Sequence, residues 1–289
     1  MFGGAITALV TPFRDGAVDH PALLGLVNLQ IDEGIDGLLA CGCTGEAATL
    51  TEDEHREVVE RVLEAAGGRV PVIAGTGKND TASSVRLSRE ASEMGVDGVL
   101  LITPYYNKPT PRGQIEHFTR VADAVDCPVI LYNVPGRTGT SILPETVARL
   151  AEHPRIVAIK DAAGSAERVT EIRGLCDITI LSGDDPIAMA QVALGASGVI
   201  SVISNIAPGE MARLVSLTSS GELEEARLIQ DRLHPVMKAL FLETNPIPVK
   251  KALSLMGLTT DEMRLPLVSM SEELVPLLEN TLKRAGLLE

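Results

Sequence analysis

The chain has 289 residues, 45% of them apolar, and sets 25 Lys and Arg against 39 Asp and Glu for a formal net charge of −14. That length fits two ordinary domains or one α/β barrel with an extension, and the apolar content suffices for a large core. The acidic balance argues against a nucleic-acid surface or an anionic membrane as partner, and no apolar run approaches the roughly 18 residues of a membrane span.

The first residues, Met1-Phe2-Gly3-Gly4-Ala5-Ile6, carry no basic region followed by a long apolar segment, so the expected location is the cytoplasm. The cysteines, Cys41, Cys43, Cys127 and Cys176, are spread along a large chain and are expected to be reduced. Cys41-Gly42-Cys43 has no second Cys or His pair at zinc spacing, so no structural metal is expected.

In chain order, short β-rich runs fall at 4–10, 37–43, 70–75, 98–103, 128–133, 156–160, 178–182 and 198–204. Between them lie stretches of helical period near 20–32, 52–66, 81–94, 112–124, 144–152, 166–175, 185–193 and 208–219. In the second of these Val58, Val59, Val62, Leu63 and Ala66 make one apolar face, and Thr51 with Glu54 reads as a capping box. Pro144 suits the first turn of its helix.

Eight strand-then-helix units are what a (β/α)8 TIM barrel requires, because parallel neighbours need crossover connections. A doubly wound open sheet is the alternative. It is disfavoured because Thr11-Pro12-Phe13-Arg14-Asp15-Gly16 is no dinucleotide fingerprint, Gly75-Thr76-Gly77-Lys78-Asn79-Asp80 lacks the third glycine, and no P-loop occurs. After about residue 220 three helical segments follow, the first with Ala226, Ile229, Leu233, Val236 and Leu240 on one face and a kink expected at Pro235. Residues 1–220 thus read as the barrel and 221–289 as a helical appendage that must cover either the barrel or another subunit.

Function in such barrels collects at the C-terminal ends of strands. One apolar run, Ile156-Val157-Ala158-Ile159-Lys160-Asp161, ends in a lysine, which a strand apolar on both faces would hold where an ammonium loses solvation. A lysine with its pKa lowered in this way is a nucleophile able to form a Schiff base with a ketone. The three tyrosines, Tyr105, Tyr106 and Tyr132, all fall in strand-end segments. His20, His55, His117, His153 and His234 show no ligand spacing and are read as helix-surface residues, and Asp184-Asp185 is read as an N-cap signal rather than a magnesium site.

Gly42-Cys43-Thr44-Gly45-Glu46, Pro104-Tyr105-Tyr106-Asn107-Lys108-Pro109, Tyr132-Asn133-Val134-Pro135-Gly136-Arg137-Thr138-Gly139 and Lys160-Asp161 resemble signatures of the dihydrodipicolinate synthase family. These are pyruvate-dependent Schiff-base aldolases, a group that includes N-acetylneuraminate lyase. The resemblance continues through Ser182-Gly183-Asp184-Asp185 and Thr244-Asn245-Pro246-Ile247-Pro248-Val249-Lys250.

It implies condensation of pyruvate with L-aspartate 4-semialdehyde in lysine and diaminopimelate biosynthesis, with no organic cofactor beyond a covalent pyruvate imine on Lys160. By the same resemblance Tyr132 is the general acid/base, and Tyr106 reaches into a neighbouring subunit's site. Arg137 grips the aldehyde's carboxylate, while Thr44 and the carbonyl of Ile200 hold the pyruvate end. A homotetramer built from tight dimers is implied. The rival readings are an aldolase for 2-keto-3-deoxy sugar acids, against which Arg137 speaks, and a catalytically idle barrel.

Two departures from the family pattern stand out. Cys43 occupies the place of a relay threonine, and a thiol donates and accepts more weakly than a hydroxyl. Of the residues that bind inhibitory lysine in regulated members, Asn79, Tyr105 and His55 have counterparts, but Ser83 replaces the usual glutamate, Glu52 stands where histidine is frequent and Ala47 where serine is. Weak or absent inhibition by lysine is the expectation.

Overall fold

The computed structural model describes residues 2–289. Strand β1 (Gly4–Ala8) is followed by a small antiparallel hairpin, β2 (Phe13–Arg14) and β3 (Ala17–Val18), then by α1 (His20–Asp32), β4 (Gly37–Ala40), α2 (Glu52–Ala66), β5 (Val72–Gly75), α3 (Thr81–Glu93) and β6 (Gly98–Ile102). The chain continues through α4 (Pro111–Asp123), β7 (Val129–Asn133), a single turn α5 (Pro135–Thr138), α6 (Pro144–Ala151), β8 (Ile156–Asp161) and α7 (Glu167–Arg173). Next come β9 (Thr179–Ser182), α8 (Ala188–Ala193), β10 (Gly198–Ser201) and α9 (Pro208–Ser220). Three helices, α10 (Leu223–Ala239), α11 (Ile247–Leu255) and α12 (Val275–Arg284), complete it.

Eight of the strands, β1 and β4 to β10, are all parallel and close into a barrel, each bonded to its neighbour in chain order with β10 returning to β1. This is the eightfold barrel that the alternation of runs predicts. The hairpin is too short to show a periodicity, and Pro235 lies within α10 without ending it. Thr51 and Glu54 form the expected capping box, each side chain accepting the other's backbone N–H.

The strand period of two sorts side chains into two cores. Ile6, Leu39, Ile73, Leu100, Ile130, Ala158, Leu181 and Ile200 fill the barrel interior. The alternate residues, such as Ala5, Leu38, Leu101, Leu131 and Ile159, pack outward against the helices. Burial on both faces explains why the strands read as continuous apolar runs. Among the described residues no helix is long and apolar enough to cross a membrane.

Candidate active site

Tyr132 and Lys160 come together because of register. On β7 Ile130 points inward and so does Tyr132 two residues on; on β8 Ala158 points inward and so does Lys160. Tyr132 pairs with Lys160 across the two strands, which sets the phenol and the amine side by side at the same level of the barrel. The Lys160 Nζ lies 4.4 Å from the centre of the Tyr132 ring.

The outward-facing neighbours lock that register. Asn133 Nδ2 donates to Asp161 Oδ2 at 2.9 Å, and Arg168 Nε donates to the same oxygen at 2.9 Å. Behind the lysine, Gly183 is required: a Cβ there would stand 2.7 Å from the Ala162 Cβ and 3.1 Å from the Lys160 Cε.

Lys160 is buried and, among the described residues, no carboxylate lies within ion-pair distance of it. Burial lowers its pKa from 10.5 to about 8, with Cys43 and the Asp184 and Asp185 carboxyls acting weakly in the opposite direction. Tyr132 is pushed well above its usual value, first by burial and then by the Cys43 thiol beside it, so its phenol stays protonated.

A cavity of about 250 Å³ opens beside this pair, walled by Cys43, Glu46, Lys78, Tyr105, Tyr132, Arg137 and the segment Thr244-Asn245-Pro246, among others. Asn245 ties two walls together: its Nδ2 donates to the Thr44 Oγ1 at 3.0 Å, and its backbone carbonyl accepts from Arg137 at 2.8 Å. Its own Oδ1 is buried with no protein partner. Glu46, in the left-handed region at φ +52°, turns its carboxylate inward onto Lys250 of α11 at 2.7 Å. The same ammonium donates to the Thr11 carbonyl at 3.0 Å and sits 4.3 Å from the Phe13 ring centre.

Of the residues singled out in the sequence, Lys160, Tyr132, Cys43, Thr44 and Arg137 gather at this end of the barrel, and the buried Ile200 sits in the interior layer on β10. Tyr106 does not join them within one chain: it is 88% exposed, with φ +70°. Three readings need correction. Asp184 makes no capping bond to the turn that follows; its Oδ2 accepts from the Gly164 N–H at 3.0 Å. Asp185 is buried, and its Oδ2 accepts from both the Val202 and Ile203 N–H groups at 2.9 Å, bracing the turn after β10.

His55 and His117 are buried rather than on a helix surface, His55 against the Gly75 carbonyl at 2.8 Å and His117 against the Thr81 hydroxyl at 2.9 Å. Burial holds His117 down to about 4. Sequence reasoning assigned no role to Asn245 or the Glu46–Lys250 pair. Lys250 and Lys251 stand together in a largely apolar helical stretch, and a lysine on its apolar face was the available signal. All four cysteines are free thiols, and among the described residues no group of three or more His, Cys, Asp or Glu could hold a metal ion.

A closed parallel barrel with a buried lysine at one strand end that has no ion-pair partner among the described residues, a tyrosine in register beside it and an arginine at the mouth has the chemical means to attack a carbonyl compound. Comparison with known proteins narrows that class. Residues 1–285 match the model of the Dihydrodipicolinate synthetase family. The chain is 53% identical to the 4-hydroxy-tetrahydrodipicolinate synthase of Pelobacter propionicus over 290 residues, all of both chains, and 56% identical to that of Geobacter sulfurreducens over 274 residues, 94% of each. The crystal structure of dihydrodipicolinate synthase from Thermotoga maritima superposes with a TM-score of 0.97 at 44% identity, covering all of both chains. The chain belongs to the dihydrodipicolinate synthetase family.

Proposed function

We propose that this protein is a lyase that condenses pyruvate with L-aspartate 4-semialdehyde through a Schiff base on Lys160, giving 4-hydroxy-tetrahydrodipicolinate. The observation that carries the reading is the buried Lys160 with no carboxylate partner, packed on Tyr132 at 4.4 Å. An amine with a pKa near 8 is in part free base at neutral pH and adds to the pyruvate ketone. Loss of water from the carbinolamine leaves a protonated imine. That cation accepts the electrons released when the pyruvate methyl loses a proton, and the enamine so formed adds to the aldehyde carbon.

Tyr132, protonated at neutral pH, donates a proton to the departing hydroxyl, takes one up as the pyruvate methyl is deprotonated and returns it to the aldehyde oxygen as the new carbon–carbon bond forms, with Cys43 beside it as the next member of the relay. Arg137, fixed by the Asn245 carbonyl, presents a planar fork suited to the aldehyde's carboxylate. Thr44, held by the Asn245 side chain, and the Ile200 carbonyl receive the pyruvate end. Tyr106, exposed on the surface of a single chain, is assigned to the site of a neighbouring subunit in a tetramer made of two tight dimers. This pairing works in the cytoplasm, as expected of a biosynthetic step.

Borohydride reduction in the presence of pyruvate, followed by intact mass and peptide mapping, tests the reading. A reduced adduct on Lys160, absent in Lys160→Ala, is the expected result, with turnover of aspartate semialdehyde exceeding that of sugar-derived aldehydes. A folded protein that traps no pyruvate would remove the Schiff-base reading and leave the idle barrel.

A further inference from the structure

Thr44 is buried, and its hydroxyl is bonded unlike those of other buried threonines in the barrel. Thr11 Oγ1 donates to the Gly45 carbonyl at 2.7 Å, and Thr103 Oγ1 donates to the Tyr132 carbonyl at 2.8 Å. Thr44 Oγ1 instead accepts, from the Asn245 Nδ2 at 3.0 Å, and among the described residues it gives its hydrogen to no protein acceptor. A buried hydroxyl hydrogen without an acceptor is costly unless a ligand receives it.

The amide of Asn245 decides where that hydrogen points. With Nδ2 on the oxygen, one lone pair of Thr44 is taken and its O–H is turned away from Asn245. Turned over, the amide would take the hydrogen at Oδ1 and leave an N–H2 in the buried place where Oδ1 now has no protein partner. The two segments are tied a second time by Lys250 on Glu46 at 2.7 Å, which fixes the amide and the hydroxyl relative to each other. Thr44 follows Cys43, which lines the cavity and stands beside Tyr132. The backbone of Asn245 serves a different neighbour, its carbonyl accepting from Arg137 at 2.8 Å.

We propose that Asn245 is a positioning residue that sets the polarity of the Thr44 hydroxyl, turning its hydrogen toward the carboxylate of the 2-keto acid, while its backbone carbonyl separately holds Arg137 for the second substrate. The proposal rests on the reading given under Proposed function and deepens it. A substitution at 245 removes the amide and keeps the carbonyl, so its effect belongs to pyruvate and leaves the aldehyde alone.

The test uses Asn245→Ala, Asn245→Asp, Thr44→Val and the double variant Thr44→Val/Asn245→Ala in the full chain. The pyruvate concentration that half-saturates borohydride labelling of Lys160 is measured for each, a readout that needs no turnover. Asn245→Ala should raise it roughly three- to tenfold, and Asn245→Asp at least about tenfold, because a carboxylate takes the Thr44 hydrogen for itself. The aldehyde KM of Asn245→Ala should stay within about twofold of wild type. In the Thr44→Val background the Asn245→Ala step should cost less than about twofold, since the amide then has no hydroxyl to direct.

An unchanged pyruvate dependence in Asn245→Ala, wild-type pyruvate binding in Asn245→Asp, or an equal loss with and without the Thr44 hydroxyl would overturn the assignment. So would a parallel rise for both substrates with a fall in melting temperature, which is what a purely structural clamp gives. If the wild type traps no pyruvate, the Schiff-base reading fails, and L-lactate, which forms no imine, then judges Asn245 alone. A rise in melting temperature with lactate that both Asn245→Ala and Thr44→Val lose supports the assignment, and any other pattern overturns it.

Discussion

Lys160 and Lys250 are both buried, and what surrounds each ammonium separates a reactive group from an inert one. Lys250 is met by the Glu46 carboxylate, the Thr11 carbonyl and the Phe13 ring, so that every approach to its nitrogen is taken. Lys160 has the Tyr132 face on one side and an open cavity nearby, with carboxyls close enough to act on it only weakly. Burial lowers the pKa of both, but at Lys250 the paired Glu46 pulls against it. Removing a cation from water costs several kcal/mol, and a partner at hydrogen-bond distance offsets most of that. At Lys160 the uncompensated part appears as a more available lone pair.

The largest effect should come from exchanging the two requirements. Lys160→Ala is expected to lose at least about a thousandfold in turnover while remaining folded, whereas Lys250→Met should leave Glu46 buried without a partner and destabilise the fold by roughly 3–5 kcal/mol. Calorimetric melts of both, with the double variant Lys250→Met/Glu46→Leu recovering most of the loss, check this; equal melting temperatures for Lys250→Met and wild type would erase the contrast.

A pH series sharpens it. The folded pKa of Lys160, about 8, lies below its ordinary 10.5, so the folded state binds fewer protons between these values. The cost of the buried cation is therefore present in full below pH 8 and fades as pH rises toward 10.5, and wild type should gain on Lys160→Met by up to about 3 kcal/mol across that window. Pyruvate trapping should rise with the free amine, its midpoint near 8 rather than 10.5.

Smaller effects follow at the edges of the reactive site. Cys43→Thr, which puts a stronger donor and acceptor beside Tyr132, should raise kcat a few-fold in steady-state assays; an unchanged or lower rate would show that the thiol serves as well. Least of all, millimolar L-lysine should scarcely slow the enzyme. Ser83 offers no carboxylate to an effector's ammonium, and Glu52, where a histidine is frequent, is already paired with Arg86. Strong inhibition below a millimolar would contradict this.

The barrel was legible because its strands are apolar on both faces and its helices on one, and both patterns are local. Lys160 was legible for the same reason, as the one charge ending an apolar run, and Tyr132 because it ends the neighbouring strand. The Lys250 partner was not: Glu46 is 204 residues away in sequence, and nothing local marks a carboxylate that will be buried. Asp185 misled because an acidic residue before a helical turn has the signature of a cap, whereas its carboxylate serves backbone donors in the turn after β10. Tyr106 lies in a strand-end motif, yet its left-handed backbone and exposure take it out of its own chain's cavity.

The closing of the cavity by Thr244-Asn245-Pro246 bears on how the protein is made. Synthesis delivers the N-terminal part first, and all eight barrel strands have been delivered once Ser201 is joined. At that moment Glu46 has no Lys250, Arg137 and Thr44 have no Asn245, and the nucleophile already stands on its strand. Some fifty further residues must arrive before the loop that carries Cys43 is clamped. The growing chain thus carries its reactive amine well before it has a finished chamber, and the ribosome's schedule makes competence one of the last properties acquired.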